Sequence, residues 1–315
     1  MTKIAWVKNS DGSAGRSWNP IAGCSILSAG CKNCFAMKMA ARLEAMGVEH
    51  YRGLTKPSKC GAVWTGKIAI APENIIEEPL HRNKPTTYFI NSMSDLFHPD
   101  VPDEVILRVL DIVRLTSYDG GSNCGKIARG HGEHTYQLLT KRSARMRAFM
   151  AKLRFNNQAE GIALFLSDDS RRPVVLRNLW LGVSAEDQAH AGERIPDLLV
   201  TPAAIRFVSC EPLLSAIDFD KAAGSSQWFN TIWWDTHPGT CGKEPQANGI
   251  KWVICGGESG PGARPMDEQW VRDIRDQCVS AKVPFFYKQR LESGRKITMP
   301  ELDGKVWDQM PGGKR

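Results

Sequence analysis

Three cysteines stand close together near the N-terminus, in SWNPIAGCSILSAGCKNCFAMKMAARL (residues 17–43). They are Cys24, Cys31 and Cys34, spaced Cys-x6-Cys-x2-Cys. Thiolates are ligands for soft or borderline metals. A structural zinc site takes four protein ligands, so zinc would need a fourth here, with Cys60 or His50 as candidates. A cubane iron–sulfur cluster also ordinarily takes four thiolates. Three thiolates leave one iron open to an exchangeable ligand, and an open iron implies chemistry. The local sequence suits an anionic group: CFAMKMAARLEAMG (34–47) reads as a helix with Phe35, Met39, Leu43 and Met46 along one side. Cys31 and Cys34 fall at its N-terminus, where free N–H groups favour thiolate. Gly47 ends it, and Gly23 and Gly30 let the loop wrap tightly.

The chain of 315 residues carries a formal charge of +7, with 42% hydrophobic residues and nine cysteines. That is enough apolar material for a buried core, and the length suits two domains or one α/β barrel. No apolar run has the length of a membrane span. The opening MTKIAWVKNSDG turns polar too soon for a signal peptide. The expected place is therefore the cytoplasm. In a reducing compartment, closely spaced cysteines mean metal or redox chemistry more often than disulfides. Of the scattered Cys60, Cys124, Cys210, Cys241, Cys255 and Cys278, most read as small core or loop residues. The basic balance suits a nucleic-acid or phosphate-bearing substrate as well as an ordinary basic surface.

The elements that must position such a site alternate. Strands are expected at 67–71, 86–91, 135–140, 178–184, 204–209, 251–257 and 283–289, with an eighth at 3–7 or just before Cys24. Helices are expected at 103–115, where Ile106, Val109, Leu110 and Val113 share a face, at 142–153, and at 267–282. Asp100 is a candidate N-cap for the first of these, with Asp103 in its first turn. Strand–helix alternation predicts a parallel sheet. Seven or eight repeats predict a (β/α) barrel, TIM-barrel-like and full or partial; an open doubly wound sheet is the alternative. One barrel domain is expected over 1–290, with insertions at 117–134, 155–177 and 218–249, then an extension over 291–315. The first insertion is Gly-rich and holds His131 and His134; Gly125-Lys126 lacks the Ser or Thr of a P-loop, since Ile127 follows. The third holds Trp228, Trp233 and Trp234 and reads as a cover or a surface elaboration.

Polar residues crowd just after the strands: Asn91-Ser92-Met93-Ser94-Asp95, Thr140-Lys141-Arg142, Ser184-Ala185-Glu186, Ser209-Cys210-Glu211-Pro212, Gly256-Gly257-Glu258-Ser259 and Lys288-Gln289. In a βα barrel these positions share one rim, where active sites are built. Ser184, with Asp187 at the third helical position, reads as a helix cap. Asp95, Lys141, Glu186, Glu211 and Glu258 are the stronger site candidates. GGESGPGARP (256–265) offers backbone amides for close approach to a carboxylate, ribose or phosphate, but lacks the dinucleotide fingerprint.

The chain resembles, nearly end to end, a family of uncharacterised phage-associated proteins that look like radical S-adenosylmethionine (radical SAM) enzymes. The resemblance rests on WNPIAGCSILSAGCKNCFA, FINSMSDLFHPDVPDE, QLLTKR, LGVSAEDQ, RIPDLLVTPAAIRFVSCEPLL, GGESGPGARPM and VPFFYKQ. It implies a partial or full βα barrel with a 4Fe–4S cluster held by Cys24, Cys31 and Cys34. The open iron would chelate S-adenosylmethionine, whose reductive cleavage by an external electron donor yields a 5′-deoxyadenosyl radical. Glu211, Lys141 and Asp95 would be catalytic; Ser94, Glu186, Gly256, Gly257 and Glu258 would contact the cofactor. The first cysteine gap is six residues where the commonest radical SAM spacing has three, and Asn33 stands where an aromatic often precedes the last cysteine. A nucleic-acid base or a nucleotide-linked group is the expected substrate, in phage DNA modification or repair. Two other readings stand beside this one. The first is a non-enzymatic nucleic-acid-binding protein stapled by zinc or a cluster. The second is a hydrolase using the rim carboxylates as acid and base.

Overall fold

The computed structural model describes residues 4–59, 61–117, 133–158, 161–225, 228–229, 249–260 and 262–312. Eight strands form one sheet: β1 (Arg16–Trp18), β2 (Thr86–Ile90), β3 (His134–Thr140), β4 (Leu179–Ser184), β5 (Ile205–Cys210), β6 (Ile250–Gly256), β7 (Phe285–Glu292) and β8 (Arg295–Thr298). Their order across the sheet is their order in the chain. The pairs β1–β2, β2–β3, β5–β6 and β6–β7 are parallel; β7–β8 is antiparallel. All five residues of β2 are buried, as are five of the six in β5. Such unbroken burial is what a parallel strand covered on both faces shows, in place of in–out alternation.

The principal helices are α1 (Phe35–Ala45), α2 (Asp103–Leu115), α3 (Ser143–Lys152), α4 (Gln188–Val200) and α5 (Glu268–Ser280). Each of α2 to α5 connects two strands of the sheet. Ile106, Val109, Leu110 and Val113 of α2 are all buried, as their shared face requires. The sequential strand order decides between the two architectures expected. A doubly wound sheet reverses direction at a switch point, and this one never does. It has the winding of a βα barrel, yet β1 and β8 are its edges and, among the described residues, do not pair with each other. The fold is thus mixed α/β on a mostly parallel eight-stranded sheet, and among the described residues a partial βα barrel, not a closed one, is what the strand order gives.

Several local expectations are corrected. Of residues 67–71, only Ala69–Ile70 is extended, and it pairs antiparallel with Ile21–Ala22 outside the main sheet. Of the two places offered for a further strand, the one ahead of Cys24 holds β1, and 4–7 is not a strand; the eighth strand of the sheet is β8, which was not expected. Residues 291–315 do not begin as a separate extension: β7 runs to Glu292 and turns into the edge strand β8. Most of the first half of the 155–177 insertion is a hairpin, Leu153–Gln158 with Gly161–Leu166. Residue 102, a proline, and not Asp100, precedes α2, and no side chain caps it. Asp187 itself caps α4, accepting from His190 N, so Ser184 is not the cap. Most of 117–134, and Trp233 and Trp234 of the third insertion, lie outside the described residues. Trp228 is buried, stacked on Phe219 at 4.8 Å.

Contacts divide the chain into two compact units, one of residues 1–3 and 7–180, the other of 4–6 and 181–315. In the first, the cysteine segment has a small core of its own. Ala36, Met37 and Ala40 of α1 pack with Ala22, Tyr51, Leu54, Trp64 and Met93, and Cys24 and Cys34 lie against this cluster. In the second, Trp6 and Trp252 are wholly buried with Phe207, their ring centroids 5.8–6.1 Å apart. Phe207 lies flat over Gly182, where an added Cβ would fall 2.5 Å from the ring. Gly182→Ala should therefore destabilise the protein by about 1–3 kcal/mol through overpacking. A urea titration measures it, and a variant as stable as the parent would contradict this packing.

Candidate functional site

The thiol segment is stitched to the C-terminal ends of β1, β2 and β3. Asn91 N donates to Trp18 O at 2.8 Å, and Asn19 Oδ1 accepts from Ser92 Oγ and Met93 N. Gly23 bridges Ser94 in parallel, and Ser94 Oγ donates to Ile21 O at 2.9 Å. Ser94, expected to touch a cofactor, holds the cysteine loop in place. Gly23 has φ +92°, and a Cβ there would lie 2.2 Å from Lys67 O, so only glycine lets the chain pass.

Asp95 is the hub of this corner. Buried, it accepts at Oδ1 from Phe97 N (3.0 Å) and Thr140 Oγ1 (2.7 Å), and at Oδ2 from Lys141 N (3.1 Å) and Arg142 Nη1 (2.9 Å). A carboxylate holding this many donors is a positioning group and not a free acid. Arg142 Nη1 also reaches Cys24 Sγ at 3.7 Å, while Nη2 donates to Ser25 Oγ at 2.8 Å. Ser25 Oγ lies 2.8 Å from His98 Nε2, and Asp100 N donates to His98 Nδ1. That second bond places the His98 proton on Nε2, aimed at Ser25. Burial and the Arg142 charge hold His98 below its ordinary pKa, so the ring is neutral at pH 7.

All six described cysteines are free thiols. Burial pushes Cys24 up to about 11, helped by the Asp95 charge and opposed by Arg142. Burial also raises Cys34, against the Ala36 and Met37 amides at the start of α1 and the Lys141 charge. Lys141, an expected catalytic residue, thus acts on a thiol. Cys31 stands in the single turn Ala29–Cys31, and its charge is felt by Cys34. The donor chemistry fits a thiolate-held cluster: three free thiols in one segment, two with cationic neighbours. The thiols are not drawn together in advance, because among the described residues no group of three or more His, Cys, Asp or Glu is arranged to hold a metal ion. Cys60 lies outside the described residues, and His50 rests tilted against Tyr51 at 4.5 Å. His134 is a core residue: Thr86 N donates to its Nδ1, and its Nε2 lies 3.0 Å from Pro79 O.

The second unit holds the other candidates. Glu211, just beyond β5, has Lys288 Nζ at 3.0 Å from Oε1, with Trp6 Nε1 and Ser209 Oγ donating to Oε2 at 3.3 Å each. Lys296 adds a second amine, its pKa lowered by burial and by Lys288. Gly256 is glycine because a Cβ would come within 2.9 Å of Glu211 Oε1. Gly257 N donates to Gln289 O, and Gln289 Nε2 returns a bond to Gly257 O, so these peptide groups are engaged with β7 and are not displayed to a ligand. Glu258 accepts from Arg264 N at 2.8 Å and pairs with its guanidinium, closing its own loop. Glu186 is fully buried and bonded to the equally buried Arg194 at 2.9 Å. Of the carboxylates expected at the site in this unit, Glu211 is the one paired with a lysine amine.

A family model matches residues 1–311, nearly the whole chain, and carries the description "Protein of unknown function (DUF5131)". The chain belongs to that family. No curated protein and no solved structure matches it. No described helix of this DUF5131 member is long and apolar enough to cross a membrane. Sequence reasoning missed the roles of Arg142, Ser25, His98 and Lys296. Arg142 stood in its list of strand-end residues; the others carried no local signal.

Two outcomes follow. With Cys24 near 11, about 0.1% of it is thiolate at pH 8, so iodoacetamide should label it slowly and about tenfold faster per pH unit up to 10. Arg142→Leu should slow labelling further, since the Asp95 charge then acts unopposed; peptide mass spectrometry reads both, and fast labelling at pH 8 would contradict this geometry. Glu186→Ala strands Arg194 and should cost about 3–5 kcal/mol in a denaturant titration.

Proposed function

We propose that this protein is a radical SAM-type iron–sulfur enzyme acting on a nucleic-acid base or a nucleotide-linked group. The observation that carries the reading is the corner where Cys24, Cys31 and Cys34 sit. A loop of three free thiols is anchored to the ends of three consecutive parallel strands, and a buried Asp95–Arg142 pair points a cation at one of them. Strand ends of this kind are where βα folds keep their chemistry.

Cys24, Cys31 and Cys34 would hold the cluster. Lys141 and Arg142 lower the cost of gathering negative thiolates in a half-buried place. Asp95 fixes Arg142, and Ser94 and Asn19 fix the loop. When bound, the cluster and S-adenosylmethionine supply a carbon radical that abstracts a hydrogen atom from the substrate. Glu211, paired with Lys288 at 3.0 Å, is the remaining candidate for catalytic work in the second unit. Glu186 and Glu258, each closed on an arginine, keep structural roles. Substrate identity draws support from the basic charge and from the segment Lys141-Arg142-Ser143-Ala144-Arg145. The zinc-stapled alternative stands on the same three thiols, and metal analysis separates the two.

Protein purified without oxygen should hold about four iron and four sulfide per chain. After reduction it should cleave S-adenosylmethionine to 5′-deoxyadenosine, and Cys31→Ala should abolish this with its circular dichroism spectrum intact. One tightly held zinc, with no iron or sulfide after reconstitution, would overturn the reading.

A further inference from the structure

His98 and Arg142 both give a hydrogen to one serine, and this fixes where that serine's own hydrogen can go. Asp100 N donates to His98 Nδ1 at 3.2 Å, so the ring proton sits on Nε2. Nε2 stands 2.8 Å from Ser25 Oγ, and Arg142 Nη2 donates to the same oxygen at 2.8 Å. A hydroxyl oxygen has two lone pairs and one hydrogen. Both lone pairs are taken here, so the Ser25 hydrogen is left to give, and neither neighbour can accept it. Arg142 is in a similar position. Its Nη1 serves Asp95 and Cys24, while Nη2 carries two hydrogens and, among the described residues, gives one of them, to Ser25. The frame behind these donors is firm. The side chains of His98 and Arg142 are 3% and 10% exposed. Arg145 donates to His98 O and to Val101 O, which pins the turn that carries the ring. Ser25 itself keeps part of its surface open.

We propose that Ser25 Oγ and Arg142 Nη2 form a binding site for an oxyanion, the phosphate of a nucleotide. The two atoms lie side by side, each has a hydrogen to donate, and one belongs to a fixed cation. A guanidinium beside a hydroxyl is a donor set that phosphate oxygens match, because charge-assisted bonds to an anion are the strong ones. Lys141, next in the chain, brings a second positive charge that is felt at Cys34. The nearby carboxylates do not compete for these hydrogens. Asp95 is already engaged by four donors, and Asp100 lies on the far edge of the His98 ring, 3.8 Å from Nδ1. Folding alone asks only for an acceptor between His98 and Arg142. A carbonyl would meet that need; serine meets it and keeps a donor for something else. The site requires no metal. Only the choice of a nucleotide as the carrier of the phosphate rests on the function proposed above. A carboxylate presents the same kind of oxygen, and the experiment separates the two.

The test is a calorimetric titration of the full chain, without added iron, with adenosine monophosphate, adenosine, inorganic phosphate and acetate. Adenosine monophosphate should bind, inorganic phosphate should compete with it, and adenosine should bind at least about tenfold more weakly. Ser25→Ala should weaken adenosine monophosphate by about tenfold or more, since a hydrogen bond to a charged group is lost, and should leave adenosine unaffected. Ser25→Thr restores the hydroxyl and should bind adenosine monophosphate within about threefold of the parent. A serine that merely held His98 and Arg142 in place would not separate the charged ligand from the neutral one. Equal affinity for adenosine and its monophosphate would overturn the site, as would a folded Ser25→Ala protein that binds the monophosphate like the parent. Should Ser25→Ala fail to fold, Ser25→Thr decides: binding lost in a folded Ser25→Thr protein would overturn the site. Acetate displacing the monophosphate as readily as phosphate does would overturn the phosphate assignment and give the pair to a carboxylate. Iron plays no part in the titration, so loss of this site leaves the iron–sulfur reading standing, and a chain that never takes up iron still answers whether the pair binds phosphate.

Discussion

A single buried carboxylate organises the cysteine corner. Asp95 stands where β2 has ended, and its two oxygens accept from the chain after it, from the end of β3 and from Arg142. An isolated carboxylate so deeply placed would lose several kcal/mol of hydration. Two amides, a hydroxyl and a guanidinium offset that loss, because hydrogen bonds to an ionised acceptor are stronger than neutral ones. The consequence travels outward. Arg142, held by Asp95, can aim one nitrogen at Cys24 and the other at Ser25, and His98 completes the chain of contacts. Without the carboxylate the arginine would have no reason to lie inward, and the first thiol would face only apolar neighbours.

The same physics explains why the loop is both anchored and exposed. Its glycine at 23 lets it pass under Lys67, and α1 sinks one face into a core of small and sulfur-containing side chains. Small residues such as Ala36 and Ala40 permit close approach, and Met37 fills the remaining space, its sulfur accepting from Trp64 N at 3.4 Å. The outer face of the helix is free of that demand. Thiols raised by burial resist spontaneous reaction until a metal or a base takes their protons, so a chain of this kind keeps its cysteines reduced and available.

In the second unit, burial separates carboxylates that look alike. Glu186 and Glu211 each follow a buried strand, yet Glu186 is sealed against Arg194 while Glu211 meets Lys288, Trp6 and Ser209. Breaking the first pair removes structure; in the second a carboxylate meets an amine, their side chains 12% and 20% exposed. Gly256 marks the difference, its missing side chain giving Glu211 room.

Strand–helix alternation, the parallel sheet, the amphipathic α2 and the helix that follows Cys34 were legible in the residues alone, because each depends on periodicity and on neighbours a few positions away. Gly47 shows this locally: it takes φ +78° just past α1, where a helix end was expected. Which strand came first in the sheet was not legible, since β1 is only three residues long and is held by its pairing with β2. The closure of the barrel was equally hidden, because pairing between edges is a property of the whole sheet. The roles of the charged residues were the least readable. Trp6 and Glu211 are 205 positions apart, and Arg142 and Cys24 are 118 apart. Desolvation and partner choice set what a carboxylate or thiol can do, and both are fixed by groups that only the folded chain brings within reach.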